Sequence, residues 1–175
     1  MATLRRGLAA VPGDPGLGVP LAEEYERARR YDEAMRTYEE LLKVNAGLIA
    51  ARNNLASLLL DHRTDTASFR RALELATPFA ESRNPLLLDT LGWAHYRNGD
   101  HGQAVHELER AVAASANVPA LRYHLGMAYL AANNPVGARQ ELGKALSEPK
   151  ADFPGIAEAR QALAKLEKNG GAARN

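Results

Sequence analysis

The chain has 175 residues, a length that fits one compact domain or a short run of stacked repeats. Hydrophobic residues make up 46% of it and aromatic residues only 6%, and most of the apolar content is Ala and Leu, which favour helices. The formal net charge is +1, from 22 basic and 21 acidic residues mixed along the chain. A nucleic-acid-binding protein is expected to show a basic surplus, so the composition argues against nucleic acid as a partner.

Two further kinds of feature are excluded by the composition and the hydropathy pattern. The chain contains no Cys, which rules out disulfides, thiolate metal sites and Cys nucleophiles. It has no run of about 18 apolar residues, so we expect no membrane insertion by this chain. The segment Leu4–Val11 is too short for a signal peptide and is interrupted by Pro12-Gly13-Asp14-Pro15.

Predicted helices follow one another along the chain and divide it into seven segments. Residues 1–14 are expected to be the end of the second helix of a preceding repeat, which would make the chain a fragment of a longer array. Four antiparallel helix pairs are predicted next, at 15–48, 49–84, 85–118 and 119–152. A capping helix at 153–168 and a disordered tail at 169–175 complete the chain.

This division depends on an internal repeat of 34 residues. Leu88–Tyr96 reads LDTLGWAHY and Arg122–Leu130 reads RYHLGMAYL, so both contain a Leu-Gly-x-Ala core. The same offset carries Ala104 onto Ala138, Leu108 onto Leu142 and Ala111 onto Ala145, which brings the identical positions to six. Agreement at this many positions in one register indicates a true repeat.

The two earlier units follow the same register less closely. In unit 15–48, Leu21-Ala22 takes the place of Leu-Gly, and Ala34 follows at the proper distance. The unit 49–84 runs 36 residues, and its Ala72 comes four residues late. We therefore predict that this second repeat is degenerate, with a longer turn between Asp61 and Thr66.

Small residues recur where two helices would have to cross closely. They are Ala22, Ala56, Gly92 and Gly126 on the first helix of each pair, and Ala34, Ala72, Ala104 and Ala138 on the second. Larger side chains would fill the flanking space, as ridges and grooves of packed helices require. The prediction is an all-α fold of antiparallel helix pairs in which Gly126→Leu damages folding.

This pattern resembles the tetratricopeptide repeat (TPR) family over roughly residues 3–152. The resemblance implies a right-handed superhelical solenoid of helix pairs, called A and B. The Trp usual at the fourth position is missing and is replaced by Gly18, Arg52, Leu88 and Arg122. Segments such as Asn53-Asn54-Leu55-Ala56 are also similar to bacterial TPR proteins of exopolysaccharide and PEP-CTERM (exosortase) systems. That similarity implies a bacterial cell-envelope or periplasmic protein, with the cytoplasm as the alternative.

No catalytic residues, cofactor or metal site are predicted. His101 and His106 are five residues apart, which does not place two ligands on one helix face. No Gly-rich phosphate loop, Ser-His-Asp order or HExxH motif is present. We therefore expect a protein that is not an enzyme.

The TPR resemblance implies a concave groove lined by the second, fifth, ninth, twelfth and thirteenth residues of each A helix, which would bind a peptide or protein. The predicted groove residues are Glu23, Arg27, Asn53, Ser57, Leu60, Asp89, Trp93, Tyr96, Arg97, Tyr123, Met127 and Leu130. Aromatic and Met side chains are typical interface anchors, so replacing Trp93, Tyr96 and Tyr123 together by Ala should abolish binding and leave helicity intact.

Three alternatives stay open. The groove aromatics could instead pack against the next A helix or the C-terminal helix, as core residues. The chain could be a self-assembly module whose terminal repeats stack end to end. It could also be a regulatory appendage of a larger enzyme.

Overall fold

The Ala- and Leu-rich segments form ten α-helices and no strand in the residues that the structure, a computed structural model, describes: 1–147 and 152–172. The all-α prediction is therefore confirmed. Residues 173–175 of the predicted tail lie outside the described residues. The chain divides into two compact units, Met1–Thr77 and Pro78–Asn175, and each is described by itself.

Consecutive helices pack against each other in the first unit. Its helices are α1 (Ala2–Ala10), α2 (Pro15–Arg27), α3 (Tyr31–Val44), α4 (Ile49–His62) and α5 (Thr66–Ala76), and a 3₁₀ turn follows at Thr77–Phe79. The switch to a 3₁₀ turn coincides with Pro78, which lacks the N–H needed to continue an α-helix. The helix α1 differs from the others because it has no buried residue.

The second unit repeats the same arrangement with helices of nearly equal length. Its helices are α6 (Pro85–Arg97), α7 (His101–Ala114), α8 (Pro119–Ala131), α9 (Pro135–Ala145) and α10 (Ile156–Ala172). The side chains of Asn84 and Asn134 cap α6 and α9, each with a Pro at the first helical turn, as the sequence predicts. The A helices are α2, α4, α6 and α8, and the B helices are α3, α5, α7 and α9.

Each B helix carries a buried stripe that includes the small residue of its repeat. Each contains a fully buried Ala, at Ala34, Ala72, Ala104 and Ala138. In α7 and α9 buried side chains follow three, four and seven residues later, and the same spacing from Ala72 reaches Leu75, Ala76 and Phe79. This pattern is the buried stripe of an amphipathic helix.

The predicted longer turn in the second repeat is wrong. The connection from α4 to α5 is Arg63–Asp65, three residues, as in the other three pairs. The extra length lies in the helices: α4 has 14 residues where the other A helices have 13, and Ala72 is the seventh residue of α5 rather than the fourth.

The turn itself explains why this pair differs. Arg29, Gly99 and Asn133 occupy the same repeat position and adopt positive φ values of 56°, 84° and 59°. The equivalent residue of the second repeat, Arg63, is extended, with a φ of −118°. Because Arg63 does not take the left-handed conformation, α4 continues for one more residue before the chain reverses.

Close helix packing occurs at the two Gly positions of the Leu-Gly pairs. A Cβ placed on Gly92 would lie 2.6 Å from Cγ of Leu108, and one on Gly126 would lie 2.7 Å from Cγ of Leu142. The nearest side chain is thus the Leu four residues after the B-helix Ala, rather than the Ala itself. This contact is the physical reason why the A helix needs a small residue at this position.

The C-terminal helix has the amphipathic character predicted for a cap. Ala159, Ala162 and Leu166 are buried, whereas Glu158 and Lys165 are exposed. The helix begins at Ile156, three residues after the predicted start, and continues to Ala172. The backbone of 169–172, predicted as part of the disordered tail, is therefore helical.

Candidate protein-binding face

The predicted groove residues of the first unit form a polar surface on α2 and α4. Arg27 is exposed and pairs with Glu24 within the same helix. Glu23, Asn53 and Ser57 are half-buried. Leu60, by contrast, is only 1% exposed, so it belongs to the core.

A hydrogen-bond network joins three helices beneath this surface. The Tyr38 hydroxyl of α3 donates to Glu26 Oε1 of α2 at 2.7 Å and accepts from Asn54 Nδ2 of α4 at 2.9 Å. Asn53 Nδ2 donates in turn to Asn54 Oδ1 at 3.2 Å. Burial raises the pKa of the Glu26 carboxyl, although the hydrogen bond from Tyr38 opposes that shift.

Aromatic rings dominate the corresponding surface of the second unit. Trp93 is stacked between Tyr96, at a centroid distance of 4.4 Å, and His124, at 4.2 Å. The interplanar angles are 5° and 17°, so the three rings form one parallel stack. Tyr123 lies against the same cluster with a tilted ring, 5.8 Å from Trp93.

Three of the predicted binding anchors in this unit are core residues. Trp93 is 6% exposed, Tyr123 is 2% exposed and Met127 is 6% exposed. They offer almost no area to a partner without moving, because neighbouring helices already cover them. These residues therefore occupy the core positions that the alternative interpretation predicted, packed against the next A helix or the C-terminal helix.

The C-terminal segment shields Tyr123 from solvent. Phe153 lies 5.5 Å from its ring, and the Tyr123 hydroxyl donates to Glu158 Oε2 at 2.9 Å. The backbone of Gly155 passes so close that a Cβ there would lie 2.4 Å from the ring atoms. Gly155 also has a φ of +88°, so this contact requires glycine on two counts.

Four predicted groove residues of the second unit, and Leu86 beside them, keep part of their surface exposed. Tyr96, Arg97 and Asp89 are half-buried. Leu130 is 36% exposed, and Leu86, at the second position of α6, is 55% exposed. The accessible part of the face is thus a half-buried aromatic ring with Leu and charged neighbours.

Sequence reasoning missed His124 as a member of this cluster. Its Nδ1 atom lies 2.8 Å and 3.0 Å from the two carboxylate oxygens of Asp89, so the pair fixes α8 to α6. The two residues are 35 positions apart, one repeat plus one, and Tyr123 and Glu158 have the same separation. That separation is the signal that could have found both pairs.

Neither a metal site nor a membrane span is found among residues 1–147 and 152–172. No group of three or more His, Asp or Glu side chains there could hold a metal ion. No helix in the same residues combines the length and apolarity needed to cross a membrane.

Comparison with known protein families decides the nature of the repeat. A family model described as tetratricopeptide repeat matches residues 90–152. Residues 90–152 are therefore similar to tetratricopeptide repeats. A TPR repeat-containing protein of Pseudomonas aeruginosa is 32% identical over 157 residues. The match covers 83% of this chain and 62% of the length of that relative, so the chain spans less than two thirds of it.

Solved TPR structures extend the fold over nearly the whole chain. A thermophilic TPR protein of Thermus thermophilus superposes with a TM-score of 0.69 at 19% identity, covering 92% of this chain and 87% of that one. YrrB, a TPR protein with an unusual peptide-binding site, gives a TM-score of 0.66 at 15% identity and covers 96% and 84%. At these identities the likeness shows the TPR fold alone.

Two Arg residues stand at the fourth TPR position, where the resemblance led us to expect Trp. Arg52 donates to the backbone oxygen of Ala46 at 3.1 Å, and Arg122 donates to that of Ala116 at 2.7 Å. Both carbonyls lie six residues earlier, in the loop before the A helix. Arg52 also donates to Leu75 O of the following B helix, and Arg122 pairs with Glu141 there. Each Arg thus joins an inter-repeat loop to the next B helix by hydrogen bonds.

Proposed function

We propose that this TPR chain is a non-catalytic scaffold that binds a peptide or protein segment on the accessible part of its A-helix face. The observation that carries the proposal is the partial exposure of Tyr96 and Leu130 on neighbouring A helices of the second unit. Both sit at the twelfth TPR position. Aromatic and Leu side chains held on rigid elements give contact area at little entropic cost.

The aromatic stack would act as the support of this binding surface. Tyr96 is held by Trp93 on one side and also packs on the core cluster of Ala104, Leu108 and Leu125. A partner would therefore meet a ring that is already in place. A preorganised side chain loses little freedom on binding, which favours affinity.

The polar surface of the first unit carries hydrogen-bonding groups of its own. Asn53 and Ser57 on α4 are half-buried, and amide and hydroxyl groups of this kind satisfy the backbone of an extended peptide. The solved structure of YrrB is described as having a peptide-binding site, which supports the same class of partner for this chain.

The test uses a photo-crosslinking amino acid at position 130 in the native organism to identify the partner segment, followed by titration of the matching synthetic peptide. The single Trp, Trp93, stacks on Tyr96, so its fluorescence reports directly on this face. We expect Tyr96→Ala and Leu130→Ser each to weaken binding about tenfold.

The matched control is Val136→Ser, since Val136 is an apolar residue of the same unit that is 71% exposed on the B helix α9. It should leave the affinity unchanged. Equal losses from Leu130→Ser and Val136→Ser, or no loss from either A-helix variant, would show that the face is not the binding surface.

Self-association is the second candidate. Large apolar side chains are exposed outside the A-helix face, with Val44 at 66% and Val136 at 71%. Light scattering over a range of protein concentrations separates the two candidates, because a mass that stays that of the monomer argues against assembly.

The alternative that the chain is a regulatory appendage of a larger enzyme stays a hypothesis. A link to exopolysaccharide or PEP-CTERM systems rests only on sequence segments and is a hypothesis too. It predicts that the partner crosslinked at position 130 is a component of such a system.

A further inference from the structure

A separate apolar groove lies in the first unit. Its floor is formed by Leu21 and Tyr25 of α2 and by Leu41 of α3, all of them buried. Leu8 of α1 and Pro12, which follows α1, form one wall. The groove has a volume of about 440 Å³, within the range of roughly 300–1,000 Å³ that ligand sites occupy.

The opposite wall and the rim carry charge. Arg5 on α1 and Arg36 on α3 line the groove and are exposed. Glu40 also lines it, but its carboxylate is held by Lys43 at 2.6 Å. Thr37 uses its hydroxyl to donate to the backbone oxygen of Glu33 at 2.7 Å.

The two guanidinium groups therefore give the groove its electrostatic character. Among residues 1–147 and 152–172, neither Arg5 nor Arg36 forms an ion pair. The charge of Arg36 helps to lower the pKa of the nearby carboxyls of Asp32 and Glu33, but these carboxylates pair with Arg63 and Arg30 instead. Guanidinium groups bind carboxylates through paired hydrogen bonds and are poorly matched to cations. An apolar floor with a cationic rim is complementary to apolar side chains that have acidic neighbours.

We propose that this groove is a second docking site, for an acidic amphipathic peptide segment of another protein. One or two Leu, Ile, Met or Phe side chains would fill the space above Leu21, Tyr25 and Leu41. Asp or Glu residues beside them would pair with Arg5 and Arg36. The site shares no residue with the A-helix face proposed above, so the two proposals stand independently.

A random-peptide phage library tests the proposal by offering the groove many peptide chemistries at once. The library is selected on the wild-type protein and counter-selected on the variant Arg5→Glu/Arg36→Glu. We expect the retained peptides to combine large apolar residues with Asp or Glu. A retained peptide is then synthesised with a fluorophore, together with a version in which Lys replaces each acidic residue.

Fluorescence anisotropy should show that the Arg5→Glu/Arg36→Glu variant binds the acidic peptide about tenfold more weakly than wild type and binds the Lys version more tightly. The matched control is Arg70→Glu/Arg83→Glu, which changes net charge equally at two exposed Arg residues that do not line the groove. It should leave both affinities near the wild-type values. The reversal of preference cannot arise from a variant that fails to fold.

Backbone amide chemical shifts locate the bound peptide. Changes centred on Leu8, Gly13 and Thr37 would support the groove. The proposal is overturned if selection retains no acidic apolar peptides, if both double variants weaken binding equally, or if the shifts centre on Tyr96. A dimer that Arg5→Glu/Arg36→Glu dissociates would overturn it too, because a second copy of the chain would then be the occupant.

Discussion

Gly126→Ala tests whether close helix contact at the Leu-Gly pair holds the repeat together. The new Cβ would lie 2.7 Å from Cγ and 2.9 Å from Cδ2 of Leu142, and 3.2 Å from its backbone nitrogen. Carbon atoms pack best at about 3.5–4.0 Å, so the contact is too short by roughly 1 Å. Leu142 is fully buried.

The expected change in stability is a balance of two effects. Overpacking of this kind costs about 1–3 kcal/mol. Replacing Gly by Ala within a helix returns about 0.5–1 kcal/mol through lower backbone entropy in the unfolded chain. We therefore expect a net loss of up to about 2.5 kcal/mol, which lowers the Tm by up to about 10 °C for a chain of this size.

Gly143→Ala is the matched control, since Gly143 is in α9 of the same unit and a Cβ there would meet nothing within 4 Å. It should raise stability by about 0.5–1 kcal/mol. Thermal melting followed by far-ultraviolet circular dichroism and by Trp93 fluorescence measures both variants. Equal melting temperatures for Gly126→Ala and Gly143→Ala would refute the reasoning.

A double-mutant cycle identifies the contact responsible. In a Leu142→Ala background the nearest side-chain atoms are gone, and only the backbone nitrogen at 3.2 Å stays close. Adding Gly126→Ala should then cost less than it costs in the wild type. The same cost in both backgrounds would place the strain elsewhere.

Three further predictions concern the rest of the molecule. Arg122→Ala should lower the free energy of unfolding by about 1–3 kcal/mol in urea denaturation, because buried Glu141 loses Arg122 and keeps only Lys144 as a cationic partner; a loss no larger than that of an exposed Arg would contradict the bridge. Glu26→Gln should stabilise the protein at neutral pH and not in acid. Burial raises the folded-state pKa of the Glu26 carboxyl above its ordinary value of 4.5, so the wild-type protein loses stability as the pH rises through the folded-state pKa. Thermal melts at several pH values should therefore show that the stability gained by Glu26→Gln grows with pH. Trp93→Ala should lower the free energy of unfolding by about 3–5 kcal/mol, because Trp93 is a core residue. An unchanged urea midpoint would show instead that Trp93 belongs to the binding surface.

Local patterns were sufficient to predict most of the fold. The spacing of Leu91-Gly92 and Leu125-Gly126 gave the register, and the Asn-Pro pairs placed the starts of α6 and α9. These features predict structure because helix starts and close helix crossings depend on the chemistry of a few neighbouring residues. The second repeat was misjudged because a sequence offset does not show whether the extra residues lengthen the turn or the helices beside it.

The candidate site was predicted less well than the fold. The TPR positions named a row of residues on the A helices, but they did not distinguish Tyr96, which keeps accessible surface, from Trp93, which does not. His124 was missed because its role depends on a partner one repeat away. Exposure depends on what the neighbouring helices cover, and that is a property of the packed structure.

The sequence by itself determined that the chain is a set of helix pairs, because hydrophobic period, caps and small residues act over one or two turns of helix. Only the tertiary structure decided which side chains are available to a partner. The segment from Phe153 to Glu158 covers Tyr123, and α8 places His124 on Trp93. These contacts join residues from different repeats, and the same aromatic residue serves equally well as core or as surface until its neighbours are in place.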